Sequence, residues 1–399
     1  MKKIVCCLIA GVVWMALLSC RTNDSKPLET VDLPENSAMA FVSKMGIGIN
    51  IGNTLDSIGT FTWHSGENGW GNPSITREFI QALKNYGYTT IRLPVTWGEY
   101  IGPAPDYTIG GCIFDNCSYS CPNRMDRVEE VVNWILDEGM YCVLNLHHDG
   151  GTSDHSWILN ASTDTEGTLK KFRAVWAQIA VRFRDASDKL VLEAMNEVGF
   201  DDIWNRWNPA ASNSKGEAYR ILNLLNQAFV DTVRGTGGNN AKRFLVVCGY
   251  WTDIDCTIDP LFKMPKDTAA QKPADTRLIL SVHYYTPATF CILDKDESWG
   301  KNQKDWGSRA DYAELSDQMA KLKKHFLDNG VPVLLGEYGV TMKNKVDAAR
   351  VNWMTAVTQI CINYGMCPAL WDTGGEISRR APFAMRDSLK AVWENLPNP

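Results

Sequence analysis

The 399-residue sequence has no run of basic residues, and its formal net charge is −6. An acidic chain without a basic stripe lacks the electrostatic footprint of a nucleic-acid binder, so no nucleic acid is expected as a partner. A neutral or polyhydroxyl ligand is compatible with that balance. Three familiar catalytic motifs are also missing: the Walker lysine loop, H-E-x-x-H and G-x-S-x-G. A dinucleotide fingerprint nearly forms at Gly46-x-Gly48, but Gly52 lies one position too far along, and Asn53-Thr-Leu-Asp56 is no clear helix start. Histidine is scarce, with six in all. Beyond the first twenty residues no apolar stretch reaches membrane-spanning length.

Those first twenty residues read as an export signal. Lys2 and Lys3 form a basic start, Ile4 to Leu18 an apolar core too short to span a bilayer comfortably, and Leu17-Leu18-Ser19-Cys20 the end. This ending resembles the lipobox of bacterial lipoproteins, which implies lipidation of Cys20 and anchoring to a membrane; an ordinary secretory signal cleaved nearby is the competing reading. Residues 21–37 then read as a polar tether with Pro27 and Pro34 and no apolar periodicity. An exported, membrane-anchored bacterial lipoprotein is the expectation, with the net charge of the mature chain near −8 once the two lysines are removed.

Cysteine is not scarce. Nine of the twelve lie beyond Cys20, an odd number, so at least one is free or pairs between chains. Cys112, Cys117 and Cys121 crowd the segment from Gly110 to Pro122, where a local disulfide is expected. A zinc site there would want a fourth ligand at regular spacing, and no histidine is near; no metal is expected. Cys142, Cys248 and Cys367 sit in or beside apolar strands and read as core.

Apolar runs recur at about 45–52, 89–95, 141–148, 190–197, 243–250, 277–285, 331–339 and 367–374, with starts 34 to 54 residues apart. Runs this continuous belong to parallel strands covered on both faces. Between them lie helical stripes. Phe172, Val175, Trp176, Ile179, Ala180 and Phe183 fall on one face, and Val128, Val131, Val132 and Ile135 on another, before Gly139. Similar patterns occupy about 75–86, 215–234, 311–329, 346–364 and 382–395; the segment after the fifth strand is the least helical. Eight β–α units with right-handed crossovers close into an α/β fold, a (β/α)8 barrel spanning 38–399 as a single catalytic domain. A doubly wound sheet is the rival, disfavoured by strand count and by the missing phosphate turn.

In such a barrel the site lies at the C-terminal ends of the strands. Those ends read Asn50, Arg92, His147 with His148, Asn196 with Glu197, Tyr250 with Trp251, His283 with Tyr285, Glu337 and Trp371. Polar residues gathered on one rim of an apolar barrel need a reason, because burying them unpaired is costly. Two strands that each stop on a glutamate suggest facing carboxylates, the equipment for cleaving a glycosidic bond with retention.

Seven motifs carry a more specific resemblance. They are Gly48-Ile-Asn-Ile-Gly-Asn-Thr-Leu-Asp56, Ile91-Arg-Leu-Pro-Val95, Asn145-Leu-His-His148, Met195-Asn-Glu197, His283-Tyr-Tyr285, Gly336-Glu-Tyr-Gly339 and Trp371-Asp372. In this order, across residues 45 to 375, the chain resembles glycoside hydrolase family 5, most closely its endoglucanase- and xyloglucanase-like subfamily 4. The resemblance implies Glu197 as acid/base and Glu337 as nucleophile. It carries Arg92, His147, Asn196, His283, Tyr285 and Trp371 to the remaining active-site positions, with Asn50 and His148 beside them as substrate-binding candidates. The segment holding Cys112, Cys117 and Cys121 departs from the family pattern. The implied activity is that of an endo-β-1,4-glucanase on cellulose-type glucan, mixed-linkage glucan or xyloglucan, without a cofactor and as a monomer. A mannanase or xylanase on the same scaffold, and a glycan-binding lipoprotein without activity, are the alternatives.

The residues give those roles physical sense. Arg92 and the Tyr285 hydroxyl would favour an ionised Glu337, while burial and the Glu337 charge would raise Glu197. Asn196 and Glu197 are neighbours and should alternate in a strand, so irregular backbone is expected there and at His147–His148. Asn196 would meet the sugar 2-hydroxyl. Tryptophans 63, 70, 97, 157, 204, 207, 251 and 299 fall in or near loops after strands, where each reads either as a sugar platform or as a loop anchor. His64 and His155, also in loops, read as solvated surface.

Overall fold

Period-two alternation of side chains decides this architecture. The computed structural model describes residues 37–58, 66–111, 123–151, 156–208, 214–272 and 275–396. Cys20, the tether, Trp63, His64, His155 and the Cys112, Cys117 and Cys121 cluster lie outside them. Eight parallel strands, β1 (Gly48–Ile51), β2 (Thr90–Leu93), β3 (Tyr141–Asn145), β4 (Leu190–Glu193), β5 (Leu245–Cys248), β6 (Leu278–Tyr284), β7 (Val333–Tyr338) and β8 (Cys367–Asp372), close into a barrel in sequence order. Leu144, Leu192, Val247, Leu280 and Leu335 point outward into the cluster shared with the helices. Their neighbours Val143, Val191, Val246, Ile279 and Leu334 point to the axis. That double burial is why the runs looked continuous in the sequence.

The helices are α1 (Ala38–Met45), α2 (Arg77–Asn85), α3 (Arg124–Asp137), α4 (Thr165–Arg182), α5 (Lys215–Gly235), α6 (Ile254–Thr257), α7 (Ala288–Cys291), α8 (Arg309–His325), α9 (Asp347–Asn363) and α10 (Asp387–Asn395). Side-chain oxygens of Thr76, Asn123, Asp164 and Ser308 cap α2, α3, α4 and α8. After β5 the chain makes only the single turn α6, because Pro260 and Pro265 follow within eight residues of it and cannot continue a helix. None of the described helices is long and apolar enough to cross a membrane.

Helix α1 plugs one end of the barrel. Ala38, Val42 and Met45 complete the axial cluster, and the Phe41 ring stacks on Phe244 with centroids 3.7 Å apart and an edge contact to Tyr141 at 5.3 Å. Two residues further along each strand the axis turns polar: Asn145, Glu193 and Ser281 succeed Val143, Val191 and Ile279, and Asn50 and Arg92 join them, all fully buried. An apolar floor thus carries a polar layer. Truncating Phe41 to Ala removes the plug's largest contact, and the expected loss is about 2–4 kcal/mol. Equilibrium urea unfolding measures it, and a change below about 0.5 kcal/mol would contradict the plug.

Candidate active site

Three backbone irregularities aim the side chains of the rim. β4 ends at Glu193, four residues short of the glutamate that the sequence pattern placed at its tip. Ala194 still bonds Val246, but Glu197 adopts a left-handed φ of 47°. This conformation costs a non-glycine residue about 1–3 kcal/mol, and it lets Asn196 and Glu197 face the same site. The β6–β7 register slips between Val282 and His283, and the β7–β8 register between Leu335 and Tyr338. The second slip turns Glu337 to the axis while Tyr338 stays outward, hydrogen-bonded to Thr358. Gly336 permits the close passage: a Cβ there would lie 2.8 Å from Ser281 Oγ and 3.1 Å from His283 Nε2.

Arg92 sits at the centre with no exposed surface. Its Nε donates to Glu193 Oε2 at 2.7 Å, Nη1 to Asn50 Oδ1 at 3.0 Å and Glu337 Oε1 at 2.8 Å, and Nη2 to Asn196 Oδ1 at 2.7 Å. Burial alone would lower its pKa, but Glu193 and Glu337 outweigh burial and hold it protonated. Asn50 spends its amide nitrogen on the Gly336 and Ala369 carbonyls. Asn50 and Arg92 therefore brace the site through protein contacts at its base. With Asn196 Oδ1 committed to Arg92, its Nδ2 group is left for the cleft.

The two glutamates meet. One oxygen of each lies within 4.8 Å of the other and of a His283 nitrogen. Tyr285 donates to Glu337 Oε2 at 3.0 Å; His283 Nδ1 stands 2.8 Å from Glu197 Oε1 and 3.6 Å from Glu337 Oε2. The Glu337 side chain is 7% exposed and that of Glu197 39%. One carboxyl is enclosed; the other opens to solvent.

Burial raises both carboxyls. At Glu337 burial and the Glu197 charge prevail over His283 and Arg92, and the group stands above the ordinary glutamate value. At Glu197 burial is outweighed by the hydrogen bond and field of His283, with the Arg92 charge behind it, and the group is pulled down. This order reverses the sequence expectation, and the main cause is the contact of the His283 ring with Glu197. Of the positive neighbours of Glu337, only Arg92 carries a permanent charge.

His147 Nε2 lies 3.9 Å from Glu337 Oε1, and Asn145 Nδ2 contacts its Nδ1 at 3.1 Å. Burial keeps His147 uncharged. Its ring is parallel to Trp371 at 5.5 Å, and Trp371 packs over Gly52, where a Cβ would fall 2.9 Å from the indole. His148 is half-buried, 3.8 Å from Asp56 Oδ2, and burial lowers it to about 4. Asp56 is raised to about 6 by burial and takes the Asn53 and Thr54 amides. Asp56, His147 and His148 have ligand atoms within 4.8 Å, as do Glu197, His283 and Glu337. Most donors of the first group are already spent on protein partners, and the second is the carboxylate pair itself.

The sequence reading passed over several residues that shape the site. Glu193 is one, although a charged residue inside the apolar run Leu190-Val-Leu-Glu193 was a signal. Asp149 is another; it takes the Trp97 amide and the Trp157 indole, and burial raises it to about 6. Trp97 and Trp157 are accordingly buried loop anchors, and Tyr250 is buried against Tyr219. Trp70, Trp207 and Trp299 are exposed. Trp251 borders a recess of about 320 Å³ with Leu159, Asn160, Gly199, Asp201 and Asp202.

Comparison with known proteins agrees with this geometry. The family model described as cellulase (glycosyl hydrolase family 5) matches residues 52–376. Endoglucanase A of Ruminococcus albus is 34% identical over 377 residues, which is 93% of this chain and 94% of that protein. A family 5 xyloglucanase from Paenibacillus pabuli superposes with a TM-score of 0.77 at 32% identity, over 89% of this chain and 99% of that one. A family 5 lichenase from Caldicellulosiruptor, solved with cellotetraose, gives 0.76 at 28% identity over 93% and 99%. The barrel, its rim and these relatives together establish that the chain belongs to glycoside hydrolase family 5, the cellulases.

Proposed function

We propose that this chain is an endo-β-1,4-glucanase that cleaves internal bonds of cellulose-type glucan, mixed-linkage glucan or xyloglucan by double displacement. The observation that carries the reading is the carboxylate separation, with oxygens within 4.8 Å. Retaining enzymes place the two groups about 5–5.5 Å apart, whereas inverting ones leave room for a water between them. Glu337 is the nucleophile: it is enclosed, anchored by Arg92 and Tyr285, and its attack on the anomeric carbon forms a glycosyl ester. Glu197 is the acid/base: it is open to the cleft, gives its proton to the departing oxygen, and later takes one from water.

A charge on the enclosed Glu337 favours the proton on Glu197. Once Glu337 is esterified that charge is gone, and Glu197 becomes the stronger acid and can serve as base. Asn196 Nδ2 meets the sugar 2-hydroxyl and Trp371 packs against the sugar at the cleaved bond. Relatives named as xyloglucan-specific endo-β-1,4-glucanase and as lichenase support a β-glucan, with tolerance for branches or mixed linkages. Initial rates on carboxymethylcellulose, barley β-glucan, tamarind xyloglucan, xylan and mannan test the reading. Activity on at least one glucan is expected, with a loss of about 10³-fold or more in Glu337→Ala and in Glu197→Ala. A folded protein inactive on every glucan, or more active on mannan or xylan, would contradict it.

We further propose that the chain is exported and held to a membrane by lipid on Cys20. The support is the apolar core ending in Leu17-Leu18-Ser19-Cys20. Expressed in a bacterium, the wild type is expected in the membrane fraction and Cys20→Ala in the soluble one. Equal partitioning of the two would rule out the anchor.

A further inference from the structure

Two buried carboxylates share the one guanidinium at the barrel axis, and only one of them reacts. Arg92 Nη1 serves Glu337 at 2.8 Å, while Nε serves Glu193 at 2.7 Å from the opposite edge of the same plane. Arg92 and Glu193 have no exposed side-chain surface. Glu193 Oε1 finds no donor among the described residues. A carboxylate buried with one oxygen unserved is costly to keep, and a neutral glutamine would still accept from Nε, though more weakly. The reaction cycle gives the charge its reason.

In the first step a Glu337 oxygen bonds to the anomeric carbon as the glycosidic carbon–oxygen bond breaks, and Glu197 passes its proton to the departing oxygen. Glu337 is then a neutral ester. Without a second anion, Arg92 would at that moment be a fully buried cation with no counter-charge, and it cannot shed its proton. We propose that Glu193 is a positioning residue for this reaction: it is the resident counter-ion that keeps the Arg92 guanidinium compensated and oriented while the Glu337 charge is consumed and restored. This role rests on the double displacement assigned above.

The same arrangement tunes the free enzyme. A guanidinium already half-committed to Glu193 stabilises the Glu337 anion less than a free one would, and so leaves it more nucleophilic. Around Glu337 stand Arg92 from β2, His147 after β3, Glu197 after β4, and His283 and Tyr285 at the end of β6. Glu193 faces Arg92 and also lies near the Cys248 thiol, which burial and the Glu193 charge push up to about 12, so the thiol keeps its proton. Of the groups that touch both glutamates, Arg92 alone carries a permanent charge.

Glu193→Gln keeps the shape and the acceptor and removes the charge. With 2-deoxy-2-fluoro-β-cellobiosyl fluoride, which forms the Glu337 ester as fluoride departs, intact mass spectrometry follows adduct formation and its later hydrolysis. Adduct formation is expected to slow by about tenfold or more, the scale of losing one preorganised electrostatic partner, and hydrolysis of the adduct to quicken. The acid limb of kcat/KM on 2,4-dinitrophenyl β-cellobioside is expected to move to lower pH, because Arg92 then acts undivided on Glu337. Wild-type adduct rates together with an unmoved acid limb would overturn the proposal. Glu337→Gln provides a second arm that does not require Glu193→Gln to fold. It imitates the loss of charge in the ester, and with Glu193 present it is expected to unfold no more than about 3 °C below wild type. A drop beyond about 10 °C would mean that Glu193 does not compensate Arg92, and would overturn the proposal as well. A wild type that forms no adduct contradicts the double displacement itself and leaves the thermal comparison to decide Glu193.

Discussion

A guanidinium buried on the axis of a closed barrel organises everything above the apolar floor. Arg92 cannot lose its charge, so its surroundings must supply anions and acceptors in the plane of its N–H groups. The four partners come from four places in the chain: Asn50 on β1, Glu193 on β4, Asn196 just beyond β4, and Glu337 on β7. Each is fixed in turn by its own strand. The site is therefore preorganised by an ion with no exposed surface, and removing that ion would leave buried carboxylates uncompensated.

Regular strands would not deliver this geometry. A strict period of two would send Glu337 outward with the helix-facing residues, and would separate Asn196 from Glu197. The register slip in β7 and the left-handed Glu197 correct both. Local strain and lost ladder bonds at the rim are offset by a barrel whose lower half is regular and largely apolar, with α1 closing its end. Stability thus resides at one end and chemistry at the other.

Much of this was legible in the sequence, for identifiable reasons. The strands were visible because both faces are buried, and α3 and α4 because their apolar residues recur at helical spacing. Glu197, Glu337, His283 and Tyr285 could be assembled on one rim because strand ends in a parallel barrel all face the same way. The failures have causes too. Glu193 passed as a strand residue, since nothing local reveals that its neighbour across the axis is a cation. Whether Trp157 is an anchor and Trp207 an exposed ring depends on a loop carboxylate, Asp149, that meets one and not the other. The order of ionisation at the two glutamates turns on His283 Nδ1, a contact made across 86 residues of sequence.

In a double displacement the enclosed Glu337, anchored by Arg92, attacks the sugar directly. The most direct test is the anomeric configuration of the first product, followed by proton NMR during the opening minutes of hydrolysis of a cello-oligosaccharide. Double displacement predicts that the β-anomer appears first and the α-anomer only later through mutarotation. If the α-anomer came first, water would be the attacking group, and the assignment of Glu337 as nucleophile would fail.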